Sequence, residues 1–329
     1  MVNGSMVLTT SGAPGSQANR IGSATALSLY VQDKIQYGKF TVTPGFRYES
    51  IDFKNENFGG SDPERTGEDV SINEYTVNEF IPGIGLVYSA TENLSLISGI
   101  HKGFSPPSPG SSADTKSEQS VNYELGARYA NSSFNSELIG FFNNYTNLLG
   151  SDLAASGGGG TSAQFNAGSV DVTGIEATLN SNLKYLLNTS VSLPVTLNYT
   201  YTNATFQNSF DSDYDPWGTV NEGYHLPFIP EHQLNASLGL EFSKLKIDLN
   251  ANSVSEMRTL AGNGSINPNF STDSYFLLDL SGSYQITQNF NLFINLKNVL
   301  DETYIVSDRP HGLRPGLPRT LMGGVRFNL

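Results

Sequence analysis

The connections between alternating apolar and polar segments constrain this chain most, because they sort by length. Strict period-two alternation marks strands with one face in apolar surroundings. In 40–49, Phe40, Val42, Pro44, Phe46 and Tyr48 share one parity, while Thr41, Thr43, Gly45, Arg47 and Glu49 share the other. The pattern recurs in 121–129, where Tyr123 and Leu125 oppose Asn122 and Glu124, and in 195–202, where Leu197 and Tyr199 oppose Asn198 and Thr200. It predicts 13 strands, near 24–36, 39–53, 79–90, 93–104, 119–130, 133–148, 166–183, 191–208, 231–243, 245–257, 274–286, 289–300 and 317–329. Their links alternate throughout. Short ones fall at 37–39, 90–93, 131–133, 184–190, 243–244 and 287–289; long ones span 54–78, 105–118, 149–165, 209–230, 258–273 and 301–316. Tight turns at one end and long loops at the other are the plan of a transmembrane β-barrel. A soluble sandwich has little reason to segregate its loops this way.

Hydropathy alone points elsewhere. Hydrophobic content is 38%, and no apolar run approaches the ~20 residues of a spanning helix. Yet 19 Phe, 16 Tyr and 33 Gly suit many strands joined by turns. No segment keeps a 3.6-residue period, so no long helix is expected. The net charge of −13 argues against a nucleic-acid surface, which needs clustered Lys and Arg. With no Cys there is no disulfide, thiolate metal site or Cys nucleophile. Residues 1–24 lack the basic start and apolar stretch of a signal peptide. They read as loop, so the chain is cytoplasmic or its natural start lies upstream.

Catalytic signatures are scarce. His101, His225, His232 and His311 lack metal-ligand spacing and read as structural or solvated. SGGGGTS (156–162) reads as flexible loop, without the strand–helix context of a phosphate cradle. Glu124 and Glu176 fall on polar strand faces. The chain is not expected to be an enzyme, and no cofactor is required. One loop, DSDYDPWGTVNE (211–222), places Asp211, Asp213, Asp215 and Glu222 at positions 1, 3, 5 and 12 of a calcium loop. Pro216 stands where such a loop turns on Gly, and no helices flank it. A solvated acidic loop is the plain reading; bound Ca2+ is the other.

Near the end, FNLFINL (290–296) runs into NVLDETY (298–304). Phe290, Leu292, Ile294 and Leu296 are expected on the apolar side, Asn291, Asn295 and Lys297 on the polar side, and Tyr304 at an interfacial ring. NVLDETY resembles a signature of TonB-dependent outer-membrane receptors. So do Gly316-Leu317-Pro318-Arg319-Thr320 before LMGGVRFNL, TPGFRYE (43–49), KGFSPPSPG (102–110), EQSVNYELGARY (118–129), the NAG…GIEA run (166–177) and PFIPEHQLN (227–235). The wording is nearest to ferric-citrate and related siderophore receptors.

The resemblance implies an antiparallel up-and-down transmembrane barrel of 22 strands, an N-terminal plug, a TonB box and a bacterial outer-membrane location. This chain matches only the C-terminal part. Residues 1–23 are expected to be the remnant of an extracellular loop, and 24–329 a partial barrel without the plug. An odd count says the same, since single-chain bacterial barrels have even counts and start inside. The implied function is uptake of a ferric chelate such as ferric citrate or a siderophore. The implied partners are that chelate, TonB through the missing N-terminal region, and outer-membrane lipid and lipopolysaccharide. Arg65, Lys116, Arg258, Arg309 and Arg314 are the candidate ligand contacts, because guanidinium groups grip carboxylates in a bidentate fork. The plain reading of each is that it balances the acidic loops or meets lipopolysaccharide phosphate. A passive porin or adhesin-like barrel, and a secreted carbohydrate-binding β-protein or glycosidase, stand as alternatives. Two structural expectations follow. Leu321, Val325, Phe327 and Leu329, with Gly323, should share the lipid side, and Met322, Arg326 and Asn328 the lumen side. The first and last strands, left with unpaired backbone groups, should make the chain insoluble alone or force a small distorted closure between them.

Overall fold

The computed structural model describes residues 19–68, 70–112, 114–151, 164–212, 214, 216–309 and 312–327. Thirteen long strands form one sheet: β1 Arg20–Gln32, β2 Phe40–Asn57, β3 Ser71–Ser89, β4 Leu94–Ser105, β5 Glu118–Ala130, β6 Phe134–Thr146, β7 Val170–Asn182, β8 Pro194–Phe206, β9 His232–Phe242, β10 Leu245–Val254, β11 Tyr275–Gln285, β12 Phe290–Lys297 and β13 Thr320–Phe327. Each pairs antiparallel with its sequence neighbour, and Ile35–Tyr37 continues β1 beside β2. The short connections therefore all lie at one end of the sheet and the long ones at the other. Leu149–Ser151 with Gln164–Asn166, Phe210–Asp211 with Thr219–Val220, and Ile305–Ser307 with Arg314–Pro315 form small ladders inside the long loops.

Directly paired residues share a face, so the register assigns every side chain. One apolar row runs Phe40–Tyr88–Leu96–Ala127–Leu138–Ala177–Tyr199–Leu234. Another runs Leu238–Leu249–Leu280–Leu296–Leu321. The opposite face carries rows such as Arg128–Glu137–Thr178–Asn198–Asn235–Asn252. The apolar face stays open: Leu125, Leu138, Ile294 and Val325 are all more than half exposed. The polar face holds ion pairs, Arg47 with Glu49, Arg128 with Glu137, Lys102 with Glu79 at 3.0 Å and Lys297 with Asp279 at 2.7 Å.

Two rows of aromatic rings bound the apolar band. Toward the long loops stand Phe46 on Phe80 (5.3 Å), Tyr48, Tyr123 on Phe142 (5.9 Å), Tyr199, Tyr201 and Phe276. Toward the short turns stand Tyr37, Phe40 on Tyr88 (4.8 Å), Tyr129 on Phe134 (5.2 Å), Phe242, Tyr284, Phe290 and Phe327. Phe40 and Tyr48 enclose eight steps of strand, about 26 Å at roughly 3.3 Å per residue. A tilted strand of that length suits an apolar band about 25 Å tall with aromatic girdles.

Beyond Tyr48 and Phe80 the polarity inverts. Ile51 and Phe53 fall on the face that was polar, and Asp52, Lys54 and Glu56 on the face that was apolar. This inversion is why β2 ends at Asn57 instead of 53 and β3 begins at Ser71 instead of 79. A pattern sought with its apolar side outward breaks there, although the ladder continues to Asn57 opposite Ser71. The second departure is a short helix, α1 Leu183–Leu187, where only a turn was expected. Asn182 caps its first amides by accepting from Lys184, and Asn188 ends it at φ 49°.

Among the described residues β1 and β13 do not pair, so the distorted closure is not formed. Twelve successive antiparallel steps leave β1 and β13 running in the same direction. A seam between them would be a parallel one.

The NVLDETY segment turns out to be a clasp. Asn298 (φ 50°, 3% exposed) donates to the carbonyls of Glu302 (2.8 Å) and Leu317 (3.0 Å) and accepts from the Glu302 amide (2.9 Å). Tyr304 is not interfacial but buried, its ring 4.4 Å from that of Tyr275. Gly316 makes the slot, since a Cβ there would sit 1.9 Å from the ring of Tyr304. Asp301 and Arg319 lie 3.7 Å apart. NVLDETY and GLPRT thus hold each other across the last long loop. Asn298→Ala is expected to cost roughly 2–4 kcal/mol, from orphaned buried groups at about 1–3 kcal/mol each and strain at positive φ. Urea titration of the 298–319 loop by proteolysis measures it; an unchanged midpoint refutes the clasp.

Candidate functional site

The long loops fold back over the polar face at their end of the sheet. Phe206 and Val170, paired across β7 and β8, are 0% and 1% exposed and join Val220 in a core. Phe210, Trp217, Tyr224, Leu226 and Ala261 pack against it. Trp217 meets Phe206, Phe210 and Tyr214 edge-on at 5.2–6.0 Å. On the first strands, Pro107 and Ser111 are buried, and the 106–117 loop accepts hydrogen bonds from Asn73 (2.8 Å) and Tyr75 (2.6 Å). Apolar residues turn inward here because the loops supply a dry partner.

A cavity of about 500 Å³ opens between the 207–231 and 255–274 loops. His225, Glu231, Glu256 and Arg258 contribute its charge and hydrogen-bonding groups. His225 bridges the loops through its backbone, donating to Gly262 at 2.8 Å. Arg258 donates to the Gly264 carbonyl at 3.0 Å, and its own carbonyl accepts from Phe228 at 2.9 Å. His232 borders the cavity, but its imidazole lies on the apolar face, bonding the Tyr199 hydroxyl through Nδ1 at 2.8 Å. One guanidinium, one imidazole and two carboxylates can hold a polar ligand with acid groups.

Burial first, and then the nearby Arg258, push the His225 pKa below the ordinary imidazole value, against an upward pull from Glu231. Burial also lowers the pKa of Arg258. A depressed folded-state value means the unfolded chain takes up the proton first. The contribution of His225 is therefore fully present above about pH 6.5 and is lost as pH falls toward the lowered value. Amide exchange at His225 and Gly262, corrected for intrinsic rates, is expected to quicken below pH 6.5. His225→Gln should remove that dependence; a dependence that survives points to another group.

The basic residues expected from the sequence are distributed over several loops. Arg65 donates through Nε to Asn19 (2.9 Å) and lies over the Phe58 ring at 5.8 Å, bracing the β2–β3 hairpin. Lys116 is exposed, its backbone bonded to Asn166 in both directions at 2.8 Å. Arg309 is mostly buried beside Asp308, and Arg314 is exposed in the 305–315 hairpin. Only Arg258 lines the cavity. Sequence reasoning set His225 aside because no spacing joins it to Arg258; only the adjacency of the loops does.

For the calcium reading, Asp213 and Asp215 lie outside the described residues. Asp211 accepts from the Thr219 hydroxyl at 2.9 Å, and the Glu222 amide donates to Ser209 at 3.0 Å. Among the described residues no three His, Asp or Glu gather into a metal-sized group, and no helix is long and apolar enough to cross a membrane.

Comparison with solved structures finds this fold repeatedly. The ferric-catecholate import receptor Fiu from E. coli K12, in its closed form, superposes with a TM-score of 0.73 at 18% identity, over 94% of this chain and 45% of that one. The ferric yersiniabactin uptake receptor FyuA from Yersinia pestis gives 0.73 at 17%, over 94% and 46%. The ferric citrate transporter FecA in its unliganded form gives 0.71 at 23%, over 93% and 45%. The chain spans less than half the length of each. The model of the TonB dependent receptor-like beta-barrel family matches residues 3–299. With its thirteen-strand meander and end-sorted loops, the chain belongs to that family of receptor barrels, which are not enzymes.

Proposed function

We propose that this chain forms part of a bacterial outer-membrane receptor that takes up a ferric chelate, of the ferric-citrate or siderophore kind. The observation that carries the reading is the loop cap. Long loops close over the polar face at one end only, beside an apolar band bounded by two aromatic rows. The band belongs in lipid with its girdles at the interfaces. The cap and the polar face it covers then meet solutes entering from outside. Fiu, FyuA and FecA are named for ferric-catecholate, ferric yersiniabactin and ferric citrate. Energised import would draw on TonB, and the outer rim would meet lipopolysaccharide. Of the five basic candidates Arg258 is the chelate contact of choice, since it lines the cavity between two capping loops.

Trp217 is the single Trp of the chain and sits in the cap. Titration of the detergent-solubilised protein with ferric citrate and with a ferric catecholate should change its emission saturably for one of them. Arg258→Ala should weaken that binding about tenfold or more, the loss of a charged hydrogen bond worth roughly 1.5–3 kcal/mol. Silence toward both chelates would sink the uptake reading. A monodisperse monomer without detergent would sink the membrane placement.

A further inference from the structure

The aromatic row at the short-turn end has a gap. Rings stand on β2, β3, β5, β6, β9, β11, β12 and β13; β4 and β10 carry Leu94 and Leu245 there, each flanked by ringed strands, which leaves β7 and β8 as the adjacent pair without a ring. On β7 and β8 the residues at this level of the apolar face are Ser181, which pairs with Phe134, and Val195, which pairs with Leu238. Neither carries a ring. At this interruption the chain inserts α1. The Leu183 amide donates to the Leu193 carbonyl at 2.9 Å, carrying the β7–β8 ladder one step past its last pair. The helix then presents Tyr185, Leu186 and Leu187, which are 60%, 62% and 63% exposed. No other short connection carries a helix or three large apolar residues in a row: Gly38-Lys39, Thr91-Glu92-Asn93, Asn131-Ser132-Ser133 and Ser243-Lys244 are small or polar, and Ile286 alone precedes Thr287-Gln288-Asn289. Three consecutive large apolar side chains are costly to leave in water.

We infer that α1 is an interfacial anchor that fills the β7–β8 gap in the girdle by seating Tyr185, Leu186 and Leu187 in the headgroup–acyl boundary of the bilayer. The occupant follows from continuity. The outer-face residues on either side, Phe134 and Phe242, belong to the row, and the helix continues it across the strands that lack rings. The chemistry fits as well. Tyr suits an interface with its ring in the apolar layer and its hydroxyl among headgroups. Lys184, whose ammonium lies 5.9 Å from the Tyr185 ring centre, can reach toward lipid phosphate. The anchor would fix the depth of this rim, where the polar turns alone cannot.

The inference rests on the membrane placement proposed above, and one experiment separates the two. Trp217→Phe removes the native fluorophore. Leu186→Trp in that background puts the sole Trp on α1, at an exposed site where no packing is lost. Val325→Trp in the same background reports the apolar face of β13. Each protein is reconstituted in phosphatidylcholine vesicles with and without bromines on the acyl chains. Both Trp residues should be quenched by bromolipid, the α1 Trp more by bromines near the headgroup than by those deep in the chain. Quenching of the Val325→Trp protein alone, with the α1 Trp open to aqueous iodide, would overturn the anchor and leave the membrane placement standing. The same α1 result with iodide excluded would mean that a protein surface covers the helix, and would overturn it too. Quenching of neither would remove the membrane placement, and the anchor with it.

Discussion

Val325→Arg is expected to abolish or sharply reduce insertion into bilayers, while Arg326→Val, the adjacent change, is tolerated. The two positions differ only in face. Val325 pairs with Leu292 on the apolar side and is 56% exposed, and Arg326 pairs with Asn291 on the polar side. An Arg at the midplane costs ~2–4 kcal/mol, falling toward zero at the interfaces. Val325 lies one pleat inside the ring of Phe327, so the lower part of that range applies. Even so, one such charge is a large fraction of a typical folding free energy. The inserted fraction after dilution into vesicles, read by protease protection, gives the result. Equal damage from both changes, or the reverse order, would invalidate the assignment of faces.

Phe206→Ala is expected to collapse the loop cap and leave the sheet standing. Phe206 is fully buried between Val170, Val220, Phe210 and Trp217, and the large-to-small change at such a site costs about 3–5 kcal/mol. Most of that falls on the loops, because the backbone pairs of β7 and β8 are untouched. Trp217 emission should shift to the red and the 207–231 loop should become sensitive to protease, with far-ultraviolet circular dichroism unchanged. A protein that keeps a native Trp217 spectrum would show that the cap is held by its hydrogen bonds instead.

The sheet was legible because it repeats one rule in thirteen strands. Phe290, Leu292, Ile294 and Leu296 alternate with their polar neighbours, and the register bears out each facing on β12 and, from Leu321 to Phe327, on β13. What was hidden depends on loops as partners. Ile51, Phe53, Phe206 and Val170 look misplaced in the outward pattern until the loops that bury them are seen. Tyr304 looked interfacial because an aromatic after a strand usually is; only the missing Cβ of Gly316, twelve residues on, reveals its slot. The cavity was hidden for a similar reason. His225 and Arg258 come from loops separated by the β9–β10 hairpin, and no local pattern announces that those loops touch.

The loops are also bonded in a row. Asn73 of β3 donates to Ser111 in the 106–117 loop, and Asn166 joins that loop to the 147–169 loop through Lys116 and Asn147. The Gln207 amide donates to Ser169, joining that loop to the 207–231 loop. His225 and Gly262 link it to the 255–274 loop, and Asp273 exchanges bonds with Ile305 of the 298–319 loop. Loops linked in this way cannot open as independent flaps, because freeing one strips acceptors from the next. Their opening should behave as a single cooperative unit, with amides from distant loops exchanging at a common rate. A molecule that grips one loop therefore pulls on the whole rim.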